Sequence, residues 1–187
     1  MSTYISLLRG VNVGGKTIRM ADLKTLFENL GLTNVRTYLQ SGNVLFDTPP
    51  GGAFSGVDGE ALAGAIEAEI ARSFGFSASV LIRTALDLQR VIEANPFLHG
   101  RLEDTARLHV TFLKGIPASN RVTFLQVPEG ETDEFVVGEG EVFLFCPNGY
   151  GRTKLSNAFI ERKLDLTATT RNWNTVTALY GMARVER

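Results

Sequence analysis

Val35-Arg36-Thr37-Tyr38-Leu39-Gln40-Ser41-Gly42-Asn43-Val44-Leu45-Phe46-Asp47 decides the fold. Val35–Gln40 and Asn43–Asp47 read as two strands, and the Ser41-Gly42 step between two apolar runs is a hairpin signal. Upstream, Tyr4–Leu8 is a compact apolar run with the character of a buried strand. A glycine-rich loop, Arg9–Lys16, follows it. Met20, Leu23, Phe27 and Leu30 then fall at helical spacing, and Gly31 is a natural stop. Downstream, Asp58 is a helix cap, and Leu62, Ile66, Ile70 and Phe74 form an i, i+4 stripe. Val80–Arg83 is a strand. Ala85–Ala94 is a short helix that ends before Asn95-Pro96, because the residue preceding proline disfavours the helical region. The order is strand, helix, strand, strand, helix, strand, helix.

The second half repeats that order without detectable likeness in sequence. Leu108, Val110 and Phe112 alternate with His109, Thr111 and Leu113 in a strand. Ala118–Leu125 is a short helix or a single turn. Glu134–Val137 and Glu141–Phe145 flank the three-residue loop Gly138-Glu139-Gly140. Lys154–Leu164 reads as a helix, Thr167–Arg171 as an edge strand, and Trp173, Val176 and Tyr180 as one face of a closing helix. The first six elements of each half have the split βαβ, or ferredoxin-like, order. The expected fold is therefore α+β: two tandem ferredoxin-like subdomains with antiparallel sheets, each followed by an extra helix. Residues 1–96 form the first, 105–187 the second, and 97–104 the joint.

Composition fits this reading. The 187 residues are 44% hydrophobic and 21% charged, which is ordinary for a soluble globular chain and excludes a disordered one. Lys and Arg number 19 against 20 Asp and Glu, and the net charge of −1 argues against bulk nucleic-acid binding. Cys146 is the one cysteine, so a disulfide scaffold is excluded. No run of about 18 apolar residues occurs, and no membrane partner is expected. Met1-Ser2-Thr3-Tyr4 has neither a basic start nor a long apolar stretch. No signal peptide is expected, and the cytoplasm is the expected compartment.

Gly10-Val11-Asn12-Val13-Gly14-Gly15-Lys16-Thr17 matches the phosphate-loop pattern G-x-x-x-x-G-K-[ST] letter for letter, after a strand. In that motif the helix opens at the Lys-Thr pair so that its N-terminus points at phosphate. Here the periodic run opens about three residues later, at Met20. The motif's fold also needs several parallel βα units, whereas this chain shows two hairpins. A phosphate-loop nucleoside triphosphatase or kinase is thus one alternative function. Glycines that merely allow left-handed turns account for the same letters.

Four segments carry a family resemblance: Leu7-Leu8-Arg9-Gly10-Val11-Asn12-Val13-Gly14-Gly15, Tyr38-Leu39-Gln40-Ser41-Gly42-Asn43-Val44, Cys146-Pro147-Asn148-Gly149-Tyr150-Gly151-Arg152-Thr153-Lys154-Leu155-Ser156-Asn157 and Ala168-Thr169-Thr170-Arg171-Asn172-Trp173-Asn174-Thr175. Together they resemble the signatures of the bacterial domain-of-unknown-function family DUF1697. The resemblance implies two tandem ferredoxin-like subdomains. It carries no established activity and no catalytic residues.

The side chains favour anion recognition over hydrolysis. His99 and His109 have no Cys or Asp/Glu set at ligand spacing, so no metal and no cofactor are expected. Cys146 reads as a small strand-end hydrophobe, and Trp173 and Tyr180 read as core. Asn148–Asn157 is the informative stretch: a Gly-Tyr-Gly loop feeds a helix whose first turn is expected to hold Arg152 and Lys154. Cations there oppose the helix dipole, at a cost of roughly 0.3–1 kcal/mol each, and a bound anion reverses that cost. Arg171 sits before the last helix with Asn172 as its cap, and Lys16 and Arg19 sit before the first. The expected function is binding of a small anionic ligand (phosphate, nucleotide or carboxylate) in a cleft between the subdomains. The expected site is Arg9, Asn12, Gly14, Gly15, Lys16, Ser41, Asn43, Tyr150, Arg152, Lys154, Asn157 and Arg171. The cleft rests on the first and third strands of each unit being adjacent and parallel, which puts the loops that leave them on one edge. A single-stranded nucleic-acid-binding module is the other alternative, by analogy with ferredoxin-like sheets that stack bases, with Tyr4 and Tyr38 as the obvious aromatics.

Overall fold

The computed structural model describes residues 2–99, 101 and 103–184, so the expected joint at 97–104 lies partly outside the described residues, at Gly100 and Leu102. The chain divides into two compact units, one formed by residues up to Leu88 together with those from Leu179 on, the other by Gln89–Ala178.

The first unit carries β1 (Ser2–Arg9), α1 (Met20–Asn29), β2 (Thr33–Tyr38), β3 (Asn43–Thr48), α2 (Gly59–Phe74) and β4 (Ser79–Thr84), and α3 (Ala85–Glu93) follows. The second carries β5 (Leu108–Leu113), α4 (Ser119–Val122), β6 (Glu134–Val137), β7 (Glu141–Phe145), α5 (Asn157–Leu164) and β8 (Ala168–Asn172), followed by α6 (Trp173–Arg184). The sheets have the orders β2-β3-β1-β4 and β6-β7-β5-β8, so each is a ferredoxin-like sheet with its first and third strands in the centre.

Every neighbouring pair is antiparallel. This corrects the expectation that the first and third strands run parallel. Ser2 pairs with Thr48 and Leu7 with Asn43, so the C-terminal ends of β1 and β3 lie at opposite ends of their sheet. The topological reason for a shared edge between the loops after β1 and β7 therefore falls away.

Strand alternation sends Tyr4, Leu8, Val44, Phe46, Val80 and Ile82 to the helix side of the first sheet, where they meet Leu23 and Phe27 of α1 and Leu62, Ile66 and Ile70 of α2. Phe27 meets Phe46 edge-on with ring centroids 5.2 Å apart. Each fully buried Leu or Ile contributes on the order of 1.5–3 kcal/mol. Asp58 caps α2 by accepting from Ala61 N at 2.8 Å, and Gly75 ends it with φ 75°. In the second unit Leu113, Val142, Leu144 and Ala168 pack against Ile160 and Leu164 of α5. The opposite faces are buried as well, through Ile5, Leu7, Leu45 and Leu81 in one sheet and Leu108, Val110, Phe112 and Phe143 in the other.

Candidate functional site

In the first unit, β1 ends beside the β2–β3 turn and the start of β4, because Tyr38 pairs with Asn43 and Arg9 with Ser79. Val13 and Lys16 form an isolated bridge, with Gly14 at φ 60° and Gly15 at φ 86° between them. Positive φ at both central positions makes this a tight mirror-image turn, which Gly-Gly forms without Cβ strain. Asn12 N donates to Lys16 O at 2.6 Å and Lys16 N to Val13 O at 3.3 Å, so the loop closes on itself. Three residues then separate Lys16 from α1, and Arg19 pairs with Asp22 at 2.7 Å. The phosphate-loop letters thus form a small hairpin, with α1 displaced from it.

The polar side chains here tie loops together. Asn12 Nδ2 donates to Gln40 O at 2.6 Å, and its Oδ1 accepts from Ile18 N at 2.9 Å. Asn43, fully buried, donates through Nδ2 to Tyr38 O at 2.8 Å and to Ser41 Oγ at 2.9 Å. Lys16 Nζ donates to Ser77 O at 3.1 Å and lies 5.8 Å from the centre of the Phe76 ring. Gly42, at φ 74°, is wedged against this assembly: a Cβ there would lie 2.5 Å from Val11 Cγ2 and 2.8 Å from Leu8 Cβ. Gly14 and Gly15 are exposed at the tip, and Arg9 is half-buried at the strand end.

In the second unit, Leu108 pairs with Phe145 and His109 with Asn172, so the loop after β7 and the start of α6 share one end of the sheet. Tyr150–Arg152 is a single 3-10 turn. α5 begins at Asn157, where Ser156 Oγ accepts from Phe159 N at 3.3 Å. This corrects the placement of Arg152 and Lys154 in the first turn of a helix: both precede the cap, and the dipole cost does not apply to them. Lys154 Nζ lies 3.1 Å from Glu131 Oε1 and so has a carboxylate partner. Arg152 is exposed.

Tyr150 and Asn157 come together through Thr170, whereas Arg171, paired with Val110, lies on the opposite face of the sheet. Tyr150 Oη donates to Thr170 Oγ1 at 3.0 Å, Thr170 Oγ1 donates to Asn157 Oδ1 at 2.7 Å, and Thr111 Oγ1 lies 2.7 Å from Thr170 Oγ1. The His109 ring stacks on Tyr150 with centroids 4.9 Å apart. Burial lowers the His109 pKa, an effect opposed by its bond to the Arg107 carbonyl, so the imidazole is neutral near pH 7. Arg171 is buried and donates to Thr169 Oγ1 at 2.8 Å and to Thr170 O at 2.9 Å. Burial pushes its pKa down to about 10, the Tyr150 hydroxyl opposing, so it stays charged at neutral pH. Cys146 is fully buried; desolvation, with help from Asp133, pushes its thiol up to about 12, far from a nucleophilic thiolate.

Among the described residues no group of three His, Cys, Asp or Glu side chains is arranged to hold a metal ion, and no helix is long and apolar enough to cross a membrane. His99, set aside as a metal ligand in the sequence, lies 2.8 Å through Nε2 from Glu93 O. Sequence reasoning missed the cluster that His109, Thr111 and Thr170 form with Tyr150 and Asn157. The signal was there in part: His109 and Thr111 occupy alternate positions of an otherwise apolar strand.

The family described as "Protein of unknown function (DUF1697)" matches residues 1–143. A solved structure of the conserved bacterial protein SP0830 from Streptococcus pneumoniae is similar in fold, with a TM-score of 0.72 and 26% identity over 98% of this chain and 99% of that one. No curated protein is similar enough to this chain to count as a match.

Proposed function

The chain belongs to the DUF1697 family of unknown function, and from the geometry of its second unit we propose that it binds a small anionic ligand, a phosphate, nucleotide or carboxylate, where β5 begins and β8 ends. Arg171 is the observation that carries this reading. A guanidinium buried to 6% exposure and charged at neutral pH sits at the end of β8, where its positive charge complements an anion. Arg152, in the short turn after β7, is an exposed cation at the same end of the sheet.

Other readings draw less support. Tyr4, one of the two candidate stacking aromatics, packs instead on Phe46 at 5.9 Å, and most described residues of the central strands are buried on both faces. The Gly10–Thr17 hairpin turns Asn12 and Lys16 amides on its own carbonyls, not outward as a phosphate cradle requires. A buried thiol with no second cysteine suits a reducing compartment, and the reading places the protein in the cytoplasm.

Thermal unfolding with and without inorganic phosphate tests the proposal. Phosphate at about ten times its dissociation constant adds about 1.4 kcal/mol to stability, or roughly 3–6 °C for a chain of this size. The rise is expected in the native protein and in Lys16→Met, reduced in Arg152→Ala and lost in Arg171→Met. Equal rises in all four proteins, or none in the native one, overturn the reading.

A further inference from the structure

Three loops of the first unit meet at one end of its sheet: after β1, between β2 and β3, and before β4. Asn12 of the first donates to Gln40 O of the second at 2.6 Å, and Lys16 of the first donates to Ser77 O of the third at 3.1 Å. The three are thus tied into one surface. Residues 10–19, 39–42 and 75–78 include no Asp or Glu, in a chain that holds 20 of them. Lys16 and Arg19 lie within these loops, and Arg9 lies at the strand end beside them. Two carboxylates that reach this end are engaged: Asp22 by Arg19 at 2.7 Å, and Glu67 by Val80 N at 2.7 Å. The surface therefore carries positive charge on a chain whose net charge is −1.

Two aliphatic side chains stand out from the same surface. Val13, beside the Gly14-Gly15 turn, is 60% exposed, and Leu39 is 55% exposed. Leu39 holds φ 58°, a left-handed backbone that leucine seldom adopts. Burial within the unit does not offset that strain, because the side chain faces solvent. Exposed apolar groups rimmed by charge mark interaction surfaces. A peptide needs a groove or an open strand edge to hold it, whereas projecting aliphatic tips flanked by cations suit a soft apolar layer beneath an anionic surface. Burial of the tips and attraction of Lys and Arg to anionic lipid then act together, and neither needs a spanning helix.

We propose that this end of the first unit docks on an anionic lipid surface, with Val13 and Leu39 entering the headgroup layer and Arg9 and Lys16 facing the lipid phosphates. The inference is independent of the anion reading for the second unit.

Co-sedimentation with vesicles tests it. Phosphatidylcholine vesicles with about three parts in ten phosphatidylglycerol are expected to carry down the native protein at low salt, and vesicles of phosphatidylcholine alone much less of it. Val13→Ser combined with Leu39→Ser is expected to weaken binding at least about tenfold, and Lys16→Gln about fivefold, the worth of one charge beside an anionic surface. A dye that brightens in apolar surroundings, attached at Val13→Cys, reads the contact itself, since the buried Cys146 stays unlabelled. It is expected to brighten with the anionic vesicles, whereas the same dye at Phe124→Cys, an exposed position of the second unit, is not. No sedimentation of the native protein, equal binding to both kinds of vesicle, or undiminished binding by the doubly substituted protein overturns the inference. So does a dye at Val13→Cys that ignores the vesicles, or one that responds only to an acidic peptide such as polyglutamate, which makes this a protein-docking surface instead.

Discussion

Thr170→Val removes the hub hydroxyl while preserving shape and strand propensity, so it isolates the hydrogen-bond term from packing. Three bonds, at 2.7, 3.0 and 2.7 Å, disappear together. Their consequences are unequal. Tyr150 and Asn157 are half-buried and can turn to water, whereas Thr111 is fully buried and keeps a hydroxyl without its Thr170 partner. Lost bonds contribute about 0.5–1.5 kcal/mol each, and a buried polar group stripped of its partner costs about 1–3 kcal/mol. The expected destabilisation is about 2–4 kcal/mol, a large fraction of a typical domain's stability of about 5–15 kcal/mol. Urea unfolding followed by fluorescence of Trp173, the one tryptophan, reads it, because this buried ring directly follows β8. In a Thr111→Val background, Thr170→Val is expected to cost about 1–2 kcal/mol less, since the buried donor is already gone. A cost below about 0.5 kcal/mol, or full additivity in the double variant, would refute the hub.

Three further outcomes follow from the same geometry. Gly42→Ala places a methyl group 2.5 Å from Val11 Cγ2 at a backbone φ of 74°; overpacking and left-handed strain together are expected to lower stability by about 2–4 kcal/mol in chemical denaturation, and a neutral effect would show that the turn moves away freely. His109 has a folded-state pKa below its unfolded value of about 6.5, so the unfolded chain binds more protons in the window below that value. Stability should therefore fall as pH drops from 6.5 toward the folded-state value, and this slope should shrink in His109→Phe; an unchanged slope means another group is responsible. Cys146, with its thiol pushed up to about 12, should resist alkylation in the native protein at pH 8 and react once urea unfolds the chain; rapid labelling of the native protein would contradict its burial.

Much of the fold was legible because it rests on local periodicity. The stripe Leu62, Ile66, Ile70 and Phe74 with Asp58 before it marks α2 and its cap, and the observed helix Gly59–Phe74 uses that Asp58 cap. The hairpin at Ser41-Gly42 is also local, although its connection takes four residues, Leu39–Gly42, with Leu39 as well as Gly42 at positive φ. Strand direction is not local: which end of β3 meets Arg9 depends on the whole sheet, and the parallel assignment failed there. The start of α5 was placed too early because Leu155 extends the apolar period beyond the helix, whereas Ser156 supplies the cap. The site was half legible. Tyr150, Asn157 and Arg171 stand out as loop and helix-end residues, but the contact of Thr111 with Thr170 depends on register between strands 59 residues apart. On the other side, Asn12, Lys16 and Asn43 looked like ligand groups because their hydrogen bonds to Gln40, Ser77 and Tyr38 carbonyls are invisible in a linear sequence.

The most direct test of the proposed anion site is its location. Amide proton–nitrogen correlation spectra of the assigned protein, recorded during titration with inorganic phosphate at constant pH and ionic strength, map the response residue by residue. The account predicts saturable shifts concentrated at Gly149–Asn157 and Thr169–Trp173. Saturable shifts confined to Val11–Ile18 and Gln40–Asn43, or no saturable shift anywhere, would contradict it.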